Sequence, residues 1–418
     1  MRRALVAVCV AALAVPASAA AHASLRHEFP AFGERLHSSP AEVTLRFDQV
    51  VDALPGGIRV FDVNGRNYAG PVHARDRMLV ARVARLPRGP YTIRWRAMSL
   101  DGHVVSGVWT FGVRVPAPNV VDDSVGAGGP TTAEHVVRWL WFVALALLLG
   151  GIGFRLLVVR APLPRRFWIV TGVGAIGTLE VAIVAFLLRC EDALQLPFGN
   201  FLYGDLSPIA NGTRIGQAFV VMELGFALVA ALLFLAWLTD REERFLWPAF
   251  VLGLGFASGL SLSGHSAERA SSSFADWVHL AAACLWIGGL VQLAAVVWPQ
   301  APELRRRSLL GFSRLATICV ALLVGAGVYL SILRLPAVHD LWRTRYGDVL
   351  LVKLALVAVA LAWGALHNVV VRRRGLVRAG TLVAESAVAI AVLLAAAVLV
   401  DSRPPAPVPA APAAVQHR

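Results

Sequence analysis

Residues 136–159 read VVRWLWFVALALLLGGIGFRLLVV, a run in which Arg138 and Arg155 are the only charges. At ~1.5 Å per residue a helix of this length is about 36 Å long, enough to cross the ~30 Å hydrocarbon core of a bilayer. Seven further runs of the same kind follow, near 167–188, 217–238, 245–263, 277–298, 309–333, 349–368 and 380–400. Residues 134–402 therefore predict an all-α, polytopic membrane domain of about eight transmembrane helices. Composition agrees: the 418-residue chain is 57% hydrophobic and 16% charged, with mean hydropathy +0.65. Soluble domains run at ~45–50% apolar and about 25% charged. A disordered, collagen-like or ordinary cytosolic chain is excluded.

The net charge of +13 does not indicate nucleic acid. The arginines stand in short tracts between apolar runs, as at Arg165-Arg166, Arg305-Arg306-Arg307 and Arg372-Arg373-Arg374. That pattern marks the cytoplasmic loops of a membrane protein. Cys9, Cys190, Cys284 and Cys319 form neither a disulfide framework nor a CxxC zinc pattern. No GxxxxGK[ST] run is present, so nothing points to ATP as the energy source.

Ahead of the helices the pattern changes. Residues 1–21 read as a secretory signal peptide, with Arg2-Arg3, an apolar stretch from Ala4 to Val15, and an A-x-A site at Ala19-Ala20-Ala21. Cleavage there leaves His22 first. Residues 22–115 then alternate polar and apolar in short runs, at Glu42–Phe47, Met78–Val83, Tyr91–Ala97 and Val108–Val113, as half-buried strands do. Pro55-Gly56-Gly57, Asn64-Gly65 and Pro87-Arg88-Gly89-Pro90 read as turns between them. The expectation is a secreted all-β sandwich or barrel, followed by a linker over 116–133. Residues 403–418 form a Pro/Ala-rich tail expected to be disordered.

Orientation follows from two signals. The signal peptide exports the β domain, and eight spans then return the tail to the same side. The loops left inside hold Arg160, Arg165, Arg166, Arg241, Arg244, Arg305 to Arg307, Arg372 to Arg374 and Arg378, more than the outer loops carry. The positive-inside rule gives the same answer, with both termini extracytoplasmic.

An N-terminal His22 could bind a metal through its amine and its imidazole. Asp101 and His103, two apart in extended chain, would present a carboxylate and a second imidazole on one side. Three nitrogens and one oxygen suit Cu(II). The plainer alternative is an Asp-Gly turn pair and a histidine left there by the cleavage site.

The His22-Ala23-Ser24-Leu25 start, Ser39-Pro40-Ala41-Glu42-Val43-Thr44-Leu45, Leu86-Pro87-Arg88-Gly89-Pro90-Tyr91-Thr92-Ile93-Arg94-Trp95 and Ser99-Leu100-Asp101-Gly102-His103-Val104-Val105-Ser106-Gly107 resemble the CopC copper-binding domain. That resemblance implies a cupredoxin-like (Ig-like) β fold and a Cu(II) site of His22, Asp101 and His103. A Met-rich Cu(I) loop is not matched, since the mature domain has only Met78 and Met98. His27, His37 and His73 read as surface residues.

Ionisable groups inside spans are costly and point to function by default. Glu180, Glu223, His265, Asp276, His279 and Lys353 fall toward the outer side on this topology, and Asp276 and His279 share a helix face. Arg314, His367, Asn368 and Glu385 fall toward the inner side, where Arg314 and Glu385 are expected to form a structural pair. Leu262-Ser263-Gly264-His265-Ser266-Ala267, the run from Asp276 to Leu290, and Tyr346-Gly347-Asp348-Val349-Leu350-Leu351-Val352-Lys353-Leu354 resemble the CopD membrane family, which is associated with copper resistance and uptake.

The sequence thus predicts a copper-handling membrane protein that is not an enzyme. Copper would be captured outside as Cu(II) and passed inward along His265, Asp276, His279, Glu223, Met222 and Lys353, with Cys284 and Cys319 available for a Cu(I) step. Its partners would be the copper ion, the lipid bilayer, an extracytoplasmic copper donor and a cytoplasmic acceptor, with no nucleic acid. Two other readings stand beside it: a membrane-anchored protein that sequesters or senses copper, and a copper- or haem-dependent oxidoreductase.

Overall fold

The computed structural model describes residues 23–100, 102, 104–117, 131–194, 206–262, 270–374, 378–400 and 402. Eight strands form the N-terminal part: β1 (Leu25–Phe29), β2 (Arg35–Leu36), β3 (Glu42–Phe47), β4 (Val51–Phe61), β5 (Ala69–Arg75), β6 (Met78–Val83), β7 (Gly89–Ser99) and β8 (Val104–Val113). They make two four-stranded sheets, ordered β1-β3-β6-β5 and β2-β8-β7-β4. All pairings are antiparallel except β2 with β8.

Alternation decides which side chains enter the sandwich. Val43, Leu45 and Phe47 of β3 and Leu79, Ala81 and Val83 of β6 point inward from one sheet. Ile93 and Trp95 of β7, with Phe111 of β8, meet them from the other. Phe47 lies edge-on to Trp95 with ring centroids 5.3 Å apart. Burial of such side chains contributes roughly 1.5–3 kcal/mol each. The Pro55-Gly56-Gly57 run, read as a turn, lies instead within β4. The register against β7 slips between Ala53 and Ile58, and Gly56 adopts φ +60°. A bulge uses the same residue types as a turn without ending the strand.

Among the described residues eight long helices follow: α1 (Thr132–Val158), α2 (Arg165–Leu194), α3 (Arg214–Leu238), α4 (Glu242–Leu262), α5 (Ala270–Gln300), α6 (Arg305–Arg334), α7 (Arg345–Arg374) and α8 (Ala379–Val400). Seven of them, all but α4, are long and apolar enough among the described residues to cross a membrane. The eighth expected span corresponds to α4, whose first turn carries Glu242, Glu243 and Arg244 and whose interior holds Pro248. Helices α1, α5 and α8 are central, with most of their apolar stretches buried, whereas α2, α3, α6 and α7 are peripheral. Outward side chains such as Ile169, Val173, Ile176, Val221 and Leu224 are apolar, as a lipid-facing surface requires.

Close approach holds the centre together. Gly150 of α1 and Gly288 of α5 face one another so tightly that a Cβ at Gly288 would collide with the Ala146 carbonyl oxygen. Small residues at such crossings let helices pack where lipid supplies no hydrophobic drive. Helix α1 widens into π-helical turns over Ala146–Gly150 and Phe154–Val158. In the second of these, buried Arg155 meets Glu242 at 3.1 Å and Glu243 at 3.4 Å. These charges belong to a helix end.

The expected Arg314–Glu385 pair is not formed. Glu385 instead meets Nδ1 of His367 at 2.6 Å, both side chains buried between α7 and α8, and Arg314 is exposed. His367 stands on the helix packed against α8. A guanidinium brought to the same buried carboxylate would add a full charge to desolvate.

Replacing Gly288 by Ala should lower thermal stability in detergent by about 1–3 kcal/mol through overpacking. Gly172→Ala, at a position with nothing within 4 Å of the added methyl, should not. Equal melting of the two variants would contradict the packing described.

Candidate metal centre and membrane cavity

His22, Asp101, His103 and His265 lie outside the described residues, so their neighbours carry the geometry. β7 and β8 form a hairpin with Met98 opposite Val104, and the chain turns between them. Gly102 N–H donates to Ser99 C=O at 2.9 Å, and Gly102 sits at φ +82°, where a side chain is strained. Ala23 N–H donates to Ser99 Oγ at 3.1 Å in a buried bond. The residue after His22 is therefore tied to the strand end that leads into Asp101.

This end of the sandwich is seated on the helical part. Leu54, Met98 and Val104 bury against Cys190 and Ile209. A Cβ at Gly102 would collide with Ile215 Cδ1 and lie 3.8 Å from Arg189 Cδ. Asp52 Oδ2 accepts from Arg214 N–H at 2.8 Å, in the first turn of α3, where backbone donors are unpaired and the helix dipole favours an anion. Burial nevertheless raises the Asp52 pKa above 3.8, outweighing the lowering by the Arg214 backbone bond and charge.

Beneath the seam lies a cavity of about 620 Å³ between α1, α2, α3, α5, α6, α7 and α8. Ile215 and Arg189, the residues against Gly102, line it. Met222, Asp276, His279 and Lys353 line it too, so four of the expected membrane residues share one space. Glu223 and Cys284 are not among its lining residues. Glu223 lies within electrostatic reach of Glu180, and Cys284 is buried in the helical core. Cys319 is likewise buried in that core.

Within the cavity Asp276 Oδ1 is 3.9 Å from Arg334 Nη2, and Glu134 Oε1 is 3.0 Å from Arg189 Nη1. His279 Nδ1 is buried with no hydrogen-bond partner. Among the described residues, no group of three or more His, Cys, Asp or Glu side chains is placed to hold a metal ion. Sequence reasoning missed Arg138, Arg189 and Arg334 as cavity groups, because arginines near span ends read as interfacial anchors.

These features define a multi-pass membrane protein with a β-sandwich mounted over an intramembrane cavity. Comparison with known families gives the finer class. Residues 25–114 match the CopC domain, residues 130–275 the copper resistance protein D-like N-terminal domain, and residues 306–401 copper resistance protein D. The chain carries a CopC domain followed by CopD domains. It is 28% identical to copper transport protein CutJ of Bacillus subtilis (strain 168), over 94% of this chain and 77% of that protein. It is 32% identical to copper resistance protein D of Pseudomonas syringae pv. tomato, over 34% of this chain and 50% of that one. The crystal structure of CopC from Methylosinus trichosporium OB3b matches at 29% identity, 24% of this chain, 99% of that one and TM-score 0.21.

The Asp52 contact has a pH signature. Because its folded pKa is raised, the folded state holds a proton that the unfolded chain has released. This group therefore favours folding as pH falls toward 3.8, and that contribution is lost as pH rises through the folded value. Asp52→Asn should flatten this part of the stability-versus-pH curve, read by thermal unfolding of the purified protein. An unchanged slope would contradict the assignment. Gly102→Ala should cost about 1–2 kcal/mol from φ alone and loosen the seam as well.

Proposed function

We propose that this protein captures Cu(II) outside the bacterial cytoplasmic membrane and passes copper inward through its helical domain. The observation that carries the reading is the stacking of two sites. Gly102, which lies between the proposed ligands Asp101 and His103 in the sequence, rests on Ile215 and Arg189 of the cavity lining. His22, Asp101 and His103 are the proposed ligands, and the bond from Ala23 to Ser99 supports bringing the first of them to the other two.

Both the β domain and the C-terminal tail are extracytoplasmic in this reading, which requires α4 to cross beside the seven helices that are long and apolar enough to do so. The Arg155, Glu242 and Glu243 cluster then lies at the cytoplasmic ends of α1 and α4, where charges reach water. His279 and Met222 offer nitrogen and thioether donors inside the cavity. Thioethers favour Cu(I), so the route accommodates copper in either state. The buried thiols of Cys284 and Cys319 stand apart from it, in the packed core. The protein acts as a carrier and not as an enzyme, exchanging copper with an extracytoplasmic donor and a cytoplasmic acceptor.

Cells expressing the protein should accumulate more copper than cells with an empty vector. His103→Ala and His279→Ala, at matched membrane abundance, should each remove most of that excess. Unchanged accumulation with the wild-type protein would leave sequestration as the better reading, and lower accumulation would indicate export.

A further inference from the structure

His367 and Glu385 meet across α7 and α8 with Nδ1 and Oε2 2.6 Å apart, each side chain only 6% exposed. Gly364, one turn before His367, leaves room for the carboxylate: a Cβ there would lie 3.1 Å from Glu385 Oε1. The other ring nitrogen, Nε2, is buried with no hydrogen-bond partner among the described residues. The described charged groups of the elements packed around the pair have places of their own. On α1, Glu134 and Arg138 line the cavity, and Arg155 is held by Glu242 and Glu243. On α5, Asp276 and His279 line the cavity, as does Arg334 on α6, where Arg314 is exposed. On α7, Arg345 and Asp348 stand in the first turn, and Lys353 is about 21 Å from His367 at ~1.5 Å per residue. Arg378, seven residues before Glu385, is exposed. The same two helices also line the cavity, and Val392 of its lining is seven residues, or about 10 Å, from Glu385. With one proton in the contact between Nδ1 and Oε2, the pair carries a net charge of −1; a second proton on Nε2 brings it to zero. A net charge away from water is costly. A proton on Nε2 and a cation passing at the same depth therefore cancel the same charge.

We propose that the His367–Glu385 pair is a proton-binding site whose proton exchanges with copper as the metal crosses the inner half of the membrane. Copper arriving from outside displaces the Nε2 proton, which leaves to the outer side. Once copper has passed inward, Nε2 takes a proton from the inner side, and the cycle closes with one proton out for one copper in. Glu385 holds the ring through Nδ1 throughout, and no electron is transferred. Exchange of one proton for Cu(II) moves net positive charge inward, the direction that an inside-negative membrane potential drives. The exchange supplies a source of energy to a chain with no GxxxxGK[ST] run. This inference rests on the reading of the protein as a copper carrier and names the ion that exchanges with the metal.

The full-length protein in proteoliposomes tests it, with buffered Cu(II) outside and the membrane potential clamped at zero by potassium and valinomycin. The steady-state ratio of copper inside to outside should rise about tenfold for each pH unit by which the lumen is the more acidic, the limit for one proton per copper. In Glu385→Gln and His367→Gln the ratio should no longer follow the pH difference. Arg314→Gln, at an exposed position, should keep the wild-type dependence. Gly364→Ala, which retains both groups but crowds the carboxylate, should weaken it, and decides the matter where either Gln variant fails to fold. A wild-type ratio indifferent to the pH difference, or a dependence that survives in the folded variants, would overturn the inference. If no copper enters wild-type vesicles, the carrier reading fails, and infrared difference spectra between acid and neutral pH read the pair without transport. A titrating carboxylate band that is lost in Glu385→Gln and displaced in His367→Gln then upholds the proton site, and the lack of such a band overturns it.

Discussion

The seam at which Leu54, Met98 and Val104 of the sandwich bury against Cys190 and Ile209 of the helical part is the contact on which the rest depends. It sets a soluble β domain over one end of a helical bundle without a covalent constraint beyond the linker. Three kinds of interaction meet there. Apolar burial supplies the drive, the Asp52 bond to the start of α3 supplies direction, and Gly102 supplies a surface flat enough for Ile215 to approach. Remove the seam and the β domain becomes a tethered copper binder with no fixed relation to the cavity.

Below the seam, the bundle separates packing from polarity. Its centre is closed by glycines at the crossing of α1 and α5, where side chains would hold the backbones apart. Apart from the Arg155, Glu242 and Glu243 cluster at a helix end, two groups of ionisable side chains stand out among the described residues. The cavity takes Glu134, Arg138, Arg189, Asp276, His279, Arg334 and Lys353, and the His367–Glu385 pair lies between α7 and α8 nearer the arginine-rich loop. Lys353 and His367 are on the same helix, fourteen residues or about 21 Å apart at ~1.5 Å per residue. The two groups of ionisable side chains thus occupy different depths, and an apolar stretch of α7 separates them.

Much of the architecture was legible because its signals are periodic and local. Strand alternation gave β3 and β6 with their observed bounds, and apolar length gave the long helices. The Pro55-Gly56-Gly57 bulge was not legible, since glycine and proline mark a bend without saying whether pairing resumes after it. Asp276 and His279 were legible as one helix face, and they do face one cavity. The partner of Glu385 was not, because spacing along the chain says little about which of two neighbouring helices turns a polar residue inward. The seam was equally hidden. Leu54, Met98 and Val104 are apolar residues at the end of a strand pair, and only the presence of Cys190 and Ile209 opposite shows what covers them.

Copper held by the β domain should lie over the mouth of the intramembrane cavity. A pulsed electron-spin measurement of the distance from bound Cu(II) to a nitroxide on Gln217→Cys, an exposed position in the first turns of α3, reads this directly. One short, narrow distance distribution is expected, since Ile215 on the same helix packs against Gly102, next in sequence to the proposed ligands. A broad distribution centred far from the helix end, with copper still bound, would contradict it.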